Sequence, residues 1–229
     1  MAYVITLTGS PMSGKSTVIQ QLEYLSRTEK FRDSFQVVKI PKYTTRGFRE
    51  NEIKAIQEGR SNELDVIPVI GLYNNDENLS KDELEGAKFA AFKELHCDLV
   101  YEQYGDRYGI RLHDLYKFIM AGKSPVIILN DVRAIEDLKS LLGKQCISLF
   151  VFRDVPNIER FKEEGKKRRD SQKTIRTRFE KANSIYRIYI ENIALFDKMI
   201  LNVQNDYISL EHILKQLIDS LVCESNAFV

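Results

Sequence analysis

Gly9-Ser10-Pro11-Met12-Ser13-Gly14-Lys15-Ser16 fits G-x-x-x-x-G-K-[ST] at every fixed position, directly after the β-rich run Tyr3–Thr8 and before a helical stretch carrying Val18, Ile19, Leu22 and Leu25. Strand, glycine loop and helix in that order is the context in which the pattern has a physical meaning. Glycines let the backbone wrap a phosphate, successive N–H groups converge on it, and the helix N-terminus adds partial positive charge. Lys15 reaches the β- and γ-phosphates, and the Ser16 hydroxyl, with Thr17 next, is placed for Mg²⁺. The bland alternative is a glycine turn with a chance lysine. The loop points to a nucleoside triphosphate and is silent on what receives the phosphate.

The rest of the chain repeats the strand–helix alternation. Gln36–Ile40, Val126–Leu129, Ser148–Phe152 and Lys198–Leu201 read as strands, and the apolar runs suit burial on both faces. Helical spacing recurs from Gln172 to about Ile193 and again from Leu210 to Leu221. The expectation is an α/β fold with a parallel sheet flanked by helices. The acidic, weakly periodic stretch from Asn51 to Tyr104 reads as an inserted subdomain with a partly helical surface excursion, and Glu224–Val229 as a frayed tail.

The 229 residues suffice for one large domain with insertions and a core without staples. Hydrophobic residues make up 43% and charged residues 29%, which excludes wholesale disorder. A formal net charge of +1 provides no global field for nucleic acid or an anionic membrane, so any anion site must be local. No run approaches a membrane span and no leader is visible. Cys97, Cys146 and Cys223 form neither a zinc pattern nor a disulfide framework, and read as small apolar residues in a reducing cytoplasm. His96, His113 and His212 are isolated and receive no catalytic role.

Several segments resemble guanylate kinases. Thr44-Thr45-Arg46-Gly47-Phe48-Arg49-Glu50-Asn51-Glu52 looks like T-T-R-x-x-R-x-x-E; Tyr108-Gly109-Ile110 resembles Y-G-[ST], with Gly122-Lys123 following as the family's G-K pair. Ile175–Ala182 resembles the helix after the family's lid, and Asp197–Asn202 its closing D-x-V-I-x-N strand. The likeness spans nearly the whole chain. It implies a P-loop kinase fold with core 1–42, 109–155 and 195–223, an acceptor-binding insertion at about 43–108, and a lid with its following helix at about 156–194. There are departures: a longer interval between Arg46 and Tyr108, Lys42 at a serine position, Ile110 at a hydroxyl position, and Leu129-Asn130-Asp131 at the D-x-D strand end.

The resemblance assigns Arg46, Arg49 and Tyr108 to the acceptor's phosphate, where two guanidinium forks clamp bidentately; the alternative is solvated loop arginines. Tyr43 and Tyr101 are further hydroxyl donors or core residues. Glu52 and Glu102 are the carboxylates at hand for a base edge. Asp131 either orders Mg²⁺ and acceptor or caps the helix beginning near Arg133, with Asn130 as positional alternative. Arg178 and one of Arg168 or Arg169 are the lid arginines that neutralise the transferring group; Arg176 reads as surface. Asn202 falls at the nucleotide site. The expected reaction is ATP- and Mg²⁺-dependent phosphorylation of a nucleoside monophosphate, GMP or dGMP first, by a cytoplasmic monomer or homodimer without nucleic-acid or membrane partners. Two rivals are a kinase of another phosphorylated metabolite, such as a sugar phosphate, and a guanylate-kinase-like domain that binds protein without catalysing.

Overall fold

The structure is a computed structural model. It describes the chain except residues 1, 49, 62–63, 70–85, 87–89, 91, 104, 154–156, 169–170, 204–205 and 227–229, and the side chains of 51, 168 and 225–226.

Strand β1 (Val4–Thr8) is buried at every position, which places it at the centre of a sheet. Strands β2 (Gln36–Lys39), β7 (Lys123–Ile128), β8 (Cys146–Phe152) and β9 (Lys198–Leu201) join it in the order β2-β7-β1-β8-β9, all parallel. Strand alternation sends Ile5, Leu7, Leu149 and Val151 to one face, against Val18, Leu22 and Leu25 of α1 (Lys15–Ser26) and Leu210, Leu214 and Ile218 of α7 (Tyr207–Asn226). Val4, Ile127 and Phe150 face the other way. They pack on Leu115 of α3 (Leu112–Met120) and on Ala134, Ile135 and Leu138 of α4 (Val132–Leu142). The expected parallel, doubly covered α/β sheet is therefore present. Glu224 to Asn226 continue α7 rather than forming a tail, because the apolar stripe that ends at Leu221 carries the helix past them.

After Ile40-Pro41 the chain enters a second, four-stranded sheet of order β4-β3-β6-β5, built from β3 (Lys42–Thr44), β4 (Val66–Pro68), β5 (Leu99–Gln103) and β6 (Asp106–Ile110). β3 runs parallel to β4 and antiparallel to β6, which pairs antiparallel with β5. Helix α2 (Glu50–Gln57) connects β3 to β4. Helices α5 (Ile158–Arg168) and α6 (Gln172–Glu191) form a hairpin sealed by Phe161, Ile175, Ala182 and Phe179, with the two phenyl rings edge-on at 5.7 Å. Met12 of the glycine loop packs into the same cluster. Among the described residues no helix is long and apolar enough to cross a membrane.

Candidate functional site

The chain runs from β1 to β2 on one side of the sheet and later places β8 on the other side of β1. The carboxyl end of β1 is thus a topological switch point, where open parallel sheets bind ligands. Residues 9–14 occupy that end. Gly9 lies against β8 so closely that a Cβ would stand 2.6 Å from the Val151 carbonyl oxygen. Gly14 has φ 86°, and α1 begins behind it with no side-chain cap. The first helical N–H groups are therefore left for an external acceptor.

Four side chains brace this loop. Asn202 Nδ2 donates to the Ser13 carbonyl at 2.7 Å, and Arg153 Nη1 to the Met12 carbonyl at 3.1 Å. Asn130 Oδ1 accepts from Gly9 N at 3.1 Å, and Ser10 Oγ donates to the Ala182 carbonyl at 3.3 Å. Pro11 lies beside Met12, whose φ is 66°. Lys15 folds back so that Nζ donates to the carbonyls of Gly9 at 2.7 Å and Ser10 at 2.9 Å. Ser16 is exposed on the first turn of α1, and Thr17 follows it with its hydroxyl near Gly14. Gly14→Ala should be costly twice over. It forces a left-handed φ on a side chain, and its Cβ would lie 1.9 Å from Asn202 Nδ2. We expect a loss of about 1–3 kcal/mol, read by denaturant unfolding; unchanged stability would mean that the Asn202 brace is not formed.

The second sheet faces this loop with Lys42, Tyr101 and Tyr108. The two rings stack at 5.5 Å as a cross-strand pair, and Lys42 Nζ lies 4.9 Å from the Tyr108 centroid and 5.8 Å from that of Tyr101. Gln103 Nε2 donates to the Asn130 carbonyl, tying β5 to the end of the core sheet. Arg46 follows β3. Its Nη1 and Nη2 donate to Glu52 Oε2 and Oε1 at 2.8 and 2.6 Å, a bidentate pair with side chains only 11% and 9% exposed.

Glu52 is thus engaged by Arg46 through both oxygens and is not a free carboxylate for a base edge. Glu102 is also not brought to the tyrosine face. It is exposed, because strand alternation turns it away from its neighbour Tyr101. Tyr43, one residue from Lys42, likewise turns to the opposite face and accepts from Arg111.

Asp131 caps α4, its Oδ1 accepting from Ala134 N at 2.9 Å, and this occupies one of its two oxygens. Arg178 lies half-buried on α6, and Arg176 forms an exposed ion pair with Glu180. Arg49 and Arg169 lie outside the described residues, as does the side chain of Arg168 at the end of α5. Sequence reasoning gave no role to Lys42 or Arg153, and raised Asn130 only as the positional alternative to Asp131, not as a brace of the loop. Lys42 stood out only as a departure from a family pattern. The other two bridge elements far apart in the chain, which no local pattern signals.

The local charge balance is cationic. Burial lowers the Lys15 amine to about 8, with Asp65 acting in the opposite sense. Burial lowers Lys42 to about 8 as well; Asp65 raises it, and the charges of Lys15 and Arg46 lower it further. A part-buried and a buried ammonium group beside an arginine suit a polyanion, and a Ser16 hydroxyl at the open helix start suits its Mg²⁺.

The shifts have a consequence for stability. Between about pH 8 and 10 the folded protein has released these protons while the unfolded chain, with ordinary lysines, still holds them. The unfolded state then binds more protons, so stability rises with pH across that window, by up to about 3 kcal/mol per lysine. Above pH 10 the raised tyrosines Tyr3 and Tyr101 act in the opposite direction. Denaturant midpoints at pH 7.5 and 9.5 check this; equal midpoints would contradict the burial of both amines.

A five-stranded parallel sheet flanked by helices, with a glycine loop at its central strand, defines the P-loop α/β fold of guanylate kinase type. Among solved structures, the crystal structure of guanylate kinase from Anaplasma phagocytophilum matches with a TM-score of 0.52 and 14% identity, over 96% of this chain and 85% of that one. The likeness is one of fold. No protein-family model matches the chain, and no curated protein sequence does.

Proposed function

We propose that the protein transfers the γ-phosphoryl group of ATP to a phosphate-bearing small molecule, a nucleoside monophosphate, with GMP and dGMP the first acceptors to test. The observation that carries this reading is the convergence of Lys15 and Arg46 on Lys42, both close enough to lower the pKa of its amine, where the loop and the second sheet meet. The fold shared with a guanylate kinase supports it. In this reading the loop N–H groups and Lys15 hold the donor's β- and γ-phosphates, and Ser16, with Asp131 in support, holds the Mg²⁺ that neutralises them. Arg46 and Arg49, with the Tyr108 hydroxyl, orient the acceptor's phosphate. In the same reading Arg178, with Arg168 or Arg169 as the second lid arginine, neutralises the charge of the transferring group, and closure of the lid excludes water. No covalent intermediate is needed; the rate comes from alignment and charge.

One observation favours a second acceptor class. Glu52 is engaged and Glu102 points to solvent, so neither is free to accept from the N1–H and N2–H₂ donors of guanine. A phosphorylated sugar or similar metabolite is the competing substrate. An ADP-release assay over nucleoside monophosphates and sugar phosphates decides between them. Acceptor-dependent turnover with GMP or dGMP at higher kcat/KM than with AMP supports the first reading, and turnover with a sugar phosphate alone supports the second. ATP-dependent turnover with none would remove the kinase assignment and leave a binding domain.

A further inference from the structure

Lys42 is the one residue of this region whose chemistry is left unused by the assignments above. Its residue exposure is 6%. Among the described residues no carboxylate lies within ion-pair distance of it. The nearest negative charge that influences it, Asp65, pairs with Lys39 at 2.6 Å. What Lys42 touches is the stacked pair Tyr101–Tyr108, an attractive surface for a cation but one that accepts none of its three N–H bonds. A second donor, the Tyr101 hydroxyl, lies on the same sheet face; it is buried and has no hydrogen-bond partner among the described residues. Buried polar groups are normally paired. Two unpaired donors on one face, beside the phosphate loop, mark the place of an acceptor that comes from outside the chain.

The charge balance identifies the kind of group. Arg46 is matched by Glu52, so that pair adds no net charge. Lys15 belongs to the loop and is held by its carbonyls. Lys42 is a cation of the second sheet with no ion pair among the described residues. Arg111, which follows β6 at the start of α3, is directed to Tyr43 and Asp114. We propose that Lys42 is a direct ligand of the acceptor substrate's anionic group, a phosphomonoester dianion, with the Tyr101 hydroxyl as a second donor to it. This rests on the kinase reading above and deepens it. The acceptor must bring its own phosphate to this point, and a neutral alcohol or an unphosphorylated nucleoside is excluded as substrate.

The groups that face the Lys42 amine are Tyr101 from β5, Tyr108 from β6, Asp65 ahead of β4, Arg46 beyond β3 and Lys15 from α1. With the amine near 8, a bound dianion favours the ammonium, so binding at about pH 8.5 is accompanied by proton uptake. A residue that merely braces the sheet would show no such uptake.

The test is calorimetric titration of GMP, glucose 6-phosphate, inorganic phosphate and MgATP into wild type, Lys42→Met, Lys42→Arg and Lys15→Met, at pH 8.5 in two buffers of different ionisation enthalpy. We expect Lys42→Met to weaken binding of the phosphomonoester that the wild type takes by about thirtyfold or more, to abolish its proton uptake, and to leave MgATP within about threefold. Lys42→Arg, which keeps the charge, should retain most of the affinity without the uptake. Lys15→Met should weaken MgATP instead; if it does not, the phosphate-loop reading fails, and the Lys42 arms still report on their own probes. The unliganded melting temperature of Lys42→Met should be unchanged or higher, since an unpaired buried ammonium is replaced by an apolar chain of similar length. The proposal is overturned if the wild type binds none of the three phosphate probes, if Lys42→Met binds them equally well, or if Lys42→Met loses melting temperature and MgATP affinity together.

Discussion

Lys15→Met should lower turnover by about a hundred- to a thousandfold or more while leaving the protein folded and at least as stable as the wild type. The two halves of this expectation have different sources. The rate loss follows from removing the only positive side chain of the glycine loop at the point where charge spreads over the transferring phosphoryl group. The preserved stability follows from the structure. Burial already lowers the Lys15 amine to about 8, so the charged form is disfavoured in the folded protein. Its partners are two loop carbonyls, Gly9 and Ser10, which remain near solvent when it is gone. Coupled-assay kinetics and thermal unfolding on the same preparation check both halves. Near-normal turnover with an acceptor that the wild type uses would end the kinase assignment.

Arg46→Ala should have the largest effect on stability of any single substitution in the site. It leaves the Glu52 carboxylate, 9% exposed, without its bidentate partner. Stranding one half of a buried pair costs about 3–5 kcal/mol. The double variant Arg46→Met/Glu52→Met removes both charges and should recover most of that loss, since apolar side chains of similar length replace a desolvated pair. Acceptor binding should not recover with it, because the guanidinium is absent in both. A double-mutant cycle by denaturant unfolding, with acceptor titrations on each variant, separates the two roles. If Arg46→Ala unfolds at the wild-type midpoint, the pair is not formed in solution as described.

The pair also changes how the acceptor side is understood. Arg46 and Glu52 lie six residues apart, and as a sequence they read as two independent ligands, one for phosphate and one for a base. Helix α2 starts at Glu50 and returns Glu52 onto the end of β3, so the two side chains meet each other first. The arginine is thereby held in one orientation, which favours binding without further loss of rotamer freedom. The same fold leaves Lys42 without an ion pair among the described residues.

Local chemistry is what the sequence determined by itself. The glycine loop was legible because its pattern resides in consecutive residues: two glycines for the turn, a lysine and a hydroxyl at the helix start. The parallel sheet was legible because strands covered on both faces are predominantly apolar, as Val4–Thr8 and Cys146–Phe152 are apart from Thr6, Thr8 and Ser148. The four-stranded sheet was not. Its strands are short, β3 and β4 having three residues each, which is too few for a period to register. The tertiary structure alone decided which polar groups meet. It paired Glu52 with Arg46, turned Glu102 to solvent through the alternation of β5, gave Asp131 a capping bond, and set Asn202 and Asn130 against the loop from the ends of β9 and β7. Hydrogen bonds and ion pairs act over a few ångströms in space, whereas the residues that form them here stand as many as 189 positions apart in the chain.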